Sequence, residues 1–135
     1  MSPSADDLVD LARRYIERTR PEELAAVSSA GGLIIDIRPQ AQREAEGELP
    51  GALVVERNVL EWRLDPSGSH RHPHVTGFDQ PVVVVCSAGY ASSLAAESLA
   101  TLGYRHASDL AGGYQAWSAW RESSGASVPE VARGS

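Results

Sequence analysis

Four consecutive valines, Val82 to Val85, constrain the fold of this chain more than any other feature. Four β-branched residues in a row, without polar alternation, read as a strand buried on both faces, the habit of a parallel sheet covered by helices. Cys86 ends the run, and Ser87, Ala88, Gly89, Tyr90 and Ala91 follow without a charge among them. From Ser92 the pattern turns helical: Leu94, Ala95, Leu99 and Leu102 recur at three- and four-residue steps, and Gly103 stands where a C-terminal glycine cap belongs. The only cysteine of the chain therefore lies at a strand-to-helix turn, over a helix N-terminus. Unpaired backbone N–H groups point outward at such a place and stabilise an anion.

The remaining segments alternate in the same way. Ser4-Ala-Asp-Asp7 reads as a capped helix start, and the expectation is one amphipathic helix through residues 5–18, with Leu8, Leu11, Ala12, Tyr15 and Ile16 on its apolar face. Packing on the domain is the plain reading of that helix; a dimer or partner contact is the alternative. Pro21 with two acids behind it opens a second helix, which Gly31-Gly32 stops. Leu33 to Ile37 reads as a strand, residues 40–46 as a short polar helix, Ala52 to Val55 as a short strand and Asn58 to Arg63 as a helical turn. Asp65 to Asp79 carries Pro66, Gly68, Pro73 and Gly77 and reads as a loop. His106 to Leu110 is a strand and Tyr114 to Arg121 a helix, and from Ser123 a tail rich in Gly, Ser and Pro is expected to be flexible. Strands alternating with helices make an α/β domain with a mostly parallel sheet.

A chain of 135 residues is one domain with room for a core. Its net charge of −6 and lack of a basic cluster argue against a nucleic-acid partner. No apolar run approaches membrane-span length, and the polar, acidic start does not resemble a secretion signal. One cysteine cannot close an internal disulfide. A reducing, cytoplasmic setting is expected, with the chain a monomer or homodimer.

A thiol is a nucleophile as its thiolate. The small residues of 87–91 let the backbone curl and aim N–H groups at such an anion, and no side-chain base lies near in sequence. Inert core packing is the plain alternative for a cysteine that closes a valine strand. Asp36 and Arg38 read as a structural pair at a strand end. His70, His72 and His74 alternate at a spacing that an extended segment could present to a metal, but Pro73 interrupts them and nothing completes a set. A solvated loop is the reading, with no metal and no cofactor. Arg63 or Arg71 is the expected source of a substrate-binding cation, and Trp117 reads as core.

Four stretches, taken together and in order, resemble the single-domain rhodanese (sulfurtransferase) family over residues 19–122. They are Asp36-Ile-Arg38, Gly47-Glu-Leu-Pro-Gly-Ala52, the strand and loop Val82 to Ser92, and Gly112-Gly-Tyr-Gln-Ala-Trp117. The resemblance implies about five mostly parallel strands with helices on both faces. It also implies a catalytic Cys86 with residues Ser87 to Ser92 as a persulfide-binding loop. Sulfane sulfur would pass from thiosulfate, polysulfide or a protein persulfide to a thiol or cyanide acceptor. A catalytically weak binding or regulatory module on the same fold is the second reading. Ser87 and Ala91 stand where the family commonly carries a cation or hydroxyl. The related phosphatase loop requires an arginine six places after the cysteine, and that place is Ser92.

Overall fold

In the computed structural model, which describes residues 2–124, the valine run is the centre of the sheet. Among the described residues there are five strands and six α-helices. The strands are β1 (Glu17–Thr19), β2 (Leu33–Asp36), β3 (Leu53–Val54), β4 (Val82–Val85) and β5 (Ala107–Leu110). They lie in the order β1-β5-β4-β2-β3, and every neighbouring pair is parallel. The chain steps outward from β2 to β3 and, on the other side, from β4 to β5. The order reverses between β2 and β4, and sites in open parallel sheets form at such a reversal, beyond the carboxyl ends of the strands. Cys86 lies one residue past that end of β4.

The helices are α1 (Ala5–Ala12), α2 (Leu24–Ser29), α3 (Gln40–Glu46), α4 (Leu60–Leu64), α5 (Ala91–Leu102) and α6 (Gly113–Ser123). Strand periodicity sends alternate valines to opposite layers. Val82, Val84 and Cys86 pack with Leu60, Leu64 and Leu99 on the α4/α5 side. Val83 and Val85 pack with Leu24, Tyr114 and Trp117 on the α2/α6 side. A four-residue strand thus belongs to both cores, which explains its lack of polar alternation.

The N-terminal reading needs correction. The helix expected through residues 5–18 ends at Ala12, and Glu17–Thr19 form edge strand β1 beside β5, with Arg18 in register with Asp109. Val9 and Ala12 are the buried residues of α1, whereas Leu8, Leu11 and Tyr15 of the expected apolar stripe are exposed. The stripe continued past Ala12 on paper because Tyr15 and Ile16 fall at helical spacing. Pairing with β5, ninety residues away, decided the conformation of Glu17–Thr19 instead. Helix α6 includes Ser123, and residues 125–135 of the expected tail lie outside the described residues. No helix among the described residues is long and apolar enough to cross a membrane.

Two substitutions check which surfaces hold the fold. Leu99→Ala, in the fully buried layer on β4, should cost about 2–5 kcal/mol in urea unfolding. Leu11→Ala, at a residue 48% exposed, should cost under about 0.5 kcal/mol. A larger loss at Leu11 would mean that the outer face of α1 is covered in solution.

Candidate functional site

The loop between β4 and α5 closes around the sulfur of Cys86. The backbone N–H groups of Gly89 and Ser92 donate to Sγ at 3.2 and 3.3 Å. The thiol in turn donates to Ser92 Oγ at 3.2 Å. Cys86 is 7% exposed, so the sulfur sits at the floor of the loop.

Neighbouring elements hold the carbonyls of the loop. The first turn of α6 donates from Tyr114 N to the Cys86 carbonyl (2.8 Å) and from Gln115 N to the Ser87 carbonyl (3.0 Å). The Gly89 carbonyl accepts from Arg13 Nη2 (2.9 Å) and Arg18 Nη2 (3.1 Å). The Tyr90 carbonyl accepts from Ser93 N at 3.1 Å. Four loop carbonyls are thus engaged by groups other than the sulfur, while the N–H groups of Gly89 and Ser92 close on it, the geometry of an anion nest.

Two glycines allow this close approach. Gly89 has φ +90°, and a Cβ there would stand 2.7 Å from Gly112 N. Gly113 has φ +66°, and a Cβ there would stand 2.5 Å from the carbonyl oxygens of both Cys86 and Ser87. No side chain fits at either place without moving the loop or the start of α6. The Gly-Gly of the C-terminal motif and the glycine of the loop are one packing contact.

Two polar networks flank the sulfur. Behind it, Asp109 on β5 is fully buried. Its Oδ2 accepts from the hydroxyls of Ser92 and Ser93, each at 2.8 Å. Arg18 completes the set through Nε to Oδ1 at 2.9 Å and Nη2 to Oδ2 at 3.2 Å. Arg13 Nε donates to Ser93 Oγ at 3.0 Å. On the other side, the Ser87 hydroxyl donates to Glu46 Oε2 and accepts from Gln115 Nε2. Arg38 pairs with Asp36 (2.8 Å) and reaches Glu46 (3.1 Å) and the Gly47 carbonyl (2.9 Å), its guanidinium stacked 4.0 Å from the centre of the Tyr114 ring. Burial pushes the Glu46 carboxyl up, but the bond from Ser87, the bond and charge of Arg38 and the bond from Gln115 outweigh it and hold it below its ordinary value. Burial also opposes the Arg38 charge, and Asp36 and Glu46 more than restore it. A depression of about 300 Å³ lies beside Ser87, lined by Glu46, Tyr114, Gln115 and Glu122 among others. A cavity of about 540 Å³ at the β1 edge, lined by Glu17, Thr19, Glu22 and Val27 among others, does not include the thiol loop.

The residues singled out in sequence are thus partly assembled. Cys86, Gly89 and Ser92 meet at the sulfur; Ser87 bonds instead to Glu46 and Gln115, and Ala88, Tyr90 and Ala91, the last of them the first residue of α5, are exposed. Asp36 and Arg38 buttress the Ser87 side. Arg63 and Arg71 are engaged in the 65–79 segment, donating to the carbonyls of His70 (2.8 Å) and Val75 (3.4 Å). His72 and His74 stack on each other with centroids 5.2 Å apart. Among the described residues no group of three or more side chains is arranged to hold a metal ion. Arg13, Arg18, Glu46, Asp109 and Gln115 escaped the sequence reading. One signal was available for Asp109: a carboxylate inside a short buried strand requires a partner.

The family model described as a rhodanese-like domain matches residues 20–119. The thiosulfate sulfurtransferase GlpE of Stutzerimonas stutzeri (strain A1501) is 28% identical over 101 residues, covering 75% of this chain and 84% of the relative. A solved structure from Rhodopseudomonas palustris CGA009, described as a protein of unknown function and possible tyrosine phosphatase, aligns with TM-score 0.77 and 26% identity. It covers 93% of this chain and 95% of that one, so the likeness extends beyond the span of the family model. The rhodanese-like domain of the Anabaena protein Alr3790 aligns with TM-score 0.60 and 22% identity over 76% of this chain and 73% of that one, a likeness of fold.

Glu46 provides a pH test of the Ser87-side network. A carboxyl held below its ordinary value of 4.5 stabilises the fold fully above that value, and the contribution is lost as pH falls through the folded value. The melting-temperature advantage of wild type over Glu46→Gln should therefore shrink as pH falls below 4.5. An advantage that is constant or grows on acidification would contradict the Ser87–Glu46–Arg38 network.

Proposed function

This chain belongs to the rhodanese-like domain family, and from that premise we propose that it is a sulfurtransferase in which Cys86 carries sulfane sulfur as a persulfide. The observation that carries the reading is the pair of backbone N–H groups on Sγ. Dipoles fixed around a small enclosed volume favour an anionic sulfur there without a general base.

The reaction is two displacements. The Cys86 thiolate attacks the outer sulfur of a donor and a new S–S bond forms. The donor's S–S bond breaks, and its electron pair leaves with sulfite when the donor is thiosulfate, or with a shortened polysulfide or a protein thiolate otherwise. The product is Cys86–S–S⁻, with its terminal charge toward the loop donors. An acceptor thiolate or cyanide then attacks the terminal sulfur, and the electron pair of the breaking S–S bond returns to Cys86. Charge and atoms balance in each half, and no metal, redox partner or cofactor is required. Splitting one transfer into two in this way is covalent catalysis with ping-pong order.

The surroundings of the loop favour donors of low charge. Ser87 and Ala91 bring no cation, and the Glu46 carboxylate stands on the Ser87 hydroxyl. A dianion such as thiosulfate meets repulsion there, whereas a hydropolysulfide or a protein persulfide meets less. Phosphate-ester hydrolysis, suggested by the description of the Rhodopseudomonas protein as a possible tyrosine phosphatase, finds no support in the loop. The place for a phosphoryl-binding arginine holds Ser92, whose hydroxyl is engaged with Asp109. A reducing cytoplasmic compartment would keep the single thiol free to work.

The low exposure of Sγ and the cation-free loop favour the second reading, a catalytically weak binding or regulatory module. Intact mass after exposure to polysulfide, thiosulfate or a persulfidated protein separates the two. The sulfurtransferase reading expects wild type to gain one sulfur atom with at least one donor, reversed by dithiothreitol and absent in Cys86→Ser. A folded wild type that gains none with any donor would sink it and leave the binding module.

A further inference from the structure

Residues 13–18 precede the span matched by the family model, yet they supply both guanidinium groups that reach the back of the thiol loop. We propose that Arg18 is a positioning residue for Cys86: by neutralising Asp109 it releases the Ser92 hydroxyl to turn its single proton onto the sulfur when the sulfur becomes an anion. Arg13 assists by sharing the Gly89 carbonyl with Arg18, which keeps that carbonyl turned away from Sγ.

A serine hydroxyl has one proton to donate. In the thiol state Ser92 gives it to Asp109 at 2.8 Å and accepts from the S–H at 3.2 Å. A sulfur anion has no proton to offer, and an oxygen lone pair facing it would be repulsive. The hydroxyl must then turn toward Sγ, which removes one donor from Asp109. Asp109 is 0% exposed, and a buried carboxylate that loses its partners is costly. It tolerates the loss because Ser93 and two Arg18 nitrogens remain within 2.8–3.2 Å. Without Arg18, the carboxylate would keep the Ser92 proton and its negative charge would stand uncompensated behind the sulfur. Arg18 therefore acts through two intermediaries, Asp109 and Ser92, and touches neither the sulfur nor a substrate. The same arrangement makes Asp109 and Arg18 act in opposite directions on the thiolate.

The charged and titratable groups around the loop are Arg13 and Arg18 from the N-terminal segment, Asp109 from β5, Glu46 and Arg38 on the Ser87 side, and Tyr90 within the loop. The proposal rests on Cys86 working as its anion, as persulfide chemistry requires, but its test needs no sulfur donor. The rate of Cys86 alkylation by neutral iodoacetamide is measured against pH in the full chain, with circular dichroism melts to confirm folding. Arg18→Gln should move the midpoint up by about one pH unit, close to tenfold slower alkylation below the midpoint. Asp109→Asn should move it down, and Arg18→Lys should fall between Arg18→Gln and wild type. Midpoints that stay in place in both Arg18→Gln and Asp109→Asn, or that move the same way, would overturn the proposal. If Arg18→Gln does not fold, Arg18→Lys decides together with Asp109→Asn: a midpoint raised in Arg18→Lys and lowered in Asp109→Asn supports the proposal, and an Arg18→Lys midpoint at or below that of wild type overturns it. Opposite shifts in a protein that no donor loads would uphold the positioning role while the sulfurtransferase reading fails.

Discussion

Two backbone N–H groups on one sulfur atom, from Gly89 and Ser92, are the interaction on which the surrounding structure depends. Several motifs of this chain hold the loop in place around that sulfur. The start of α6 binds the carbonyls of Cys86 and Ser87. The N-terminal arginines bind the carbonyl of Gly89. The glycines at 89 and 113 permit the contact between loop and helix, since a Cβ at either would stand under 3 Å from backbone atoms. Residues Ser87–Ala91 bring no charged side chain, and the partners of Sγ are two backbone N–H groups and the Ser92 hydroxyl.

The charges lie one layer further out and are mostly paired. Asp36 with Arg38 and Asp109 with Arg18 stand at the carboxyl ends of β2 and β5, on either side of the thiol. Buried pairs of this kind add little net stability, because desolvation offsets their attraction, while removal of one partner costs about 3–5 kcal/mol. Their value here is geometric. Arg38 ties Asp36, Glu46 and Gly47 into a single support for Ser87, and Asp109 gathers Ser92, Ser93 and Arg18 behind the sulfur. The cation that the loop lacks in its own sequence is supplied to its outer side by the N-terminal segment.

Local signals were readable in the sequence and long-range ones were not. Val82–Val85 read as a doubly buried strand because β-branched runs have few other uses, and Gly103 read as a cap because positive φ favours glycine there. Asp36 and Arg38, two residues apart, could be paired on paper. Arg18 and Asp109 are ninety-one residues apart, and only the sheet order brings them together. The same distance explains the misread N-terminal helix: Tyr15 and Ile16 prolong a helical pattern, while the hydrogen bonds that make Glu17–Thr19 a strand come from Ser108–Leu110. Arg63 and Arg71, expected as cations for the site, instead donate to the carbonyls of His70 and Val75. The arginines that reach the loop lie at the beginning of the chain, where no motif pointed.

Transfer of a sulfur atom from Cys86 can be measured outright. The direct measurement is cyanolysis after loading. The protein is charged with polysulfide, freed of donor by gel filtration, and mixed with cyanide while thiocyanate is quantified. About one thiocyanate per chain, with Cys86 recovered as the free thiol, is the predicted result. Folded protein that yields no thiocyanate, or an equal yield from Cys86→Ser, would contradict it.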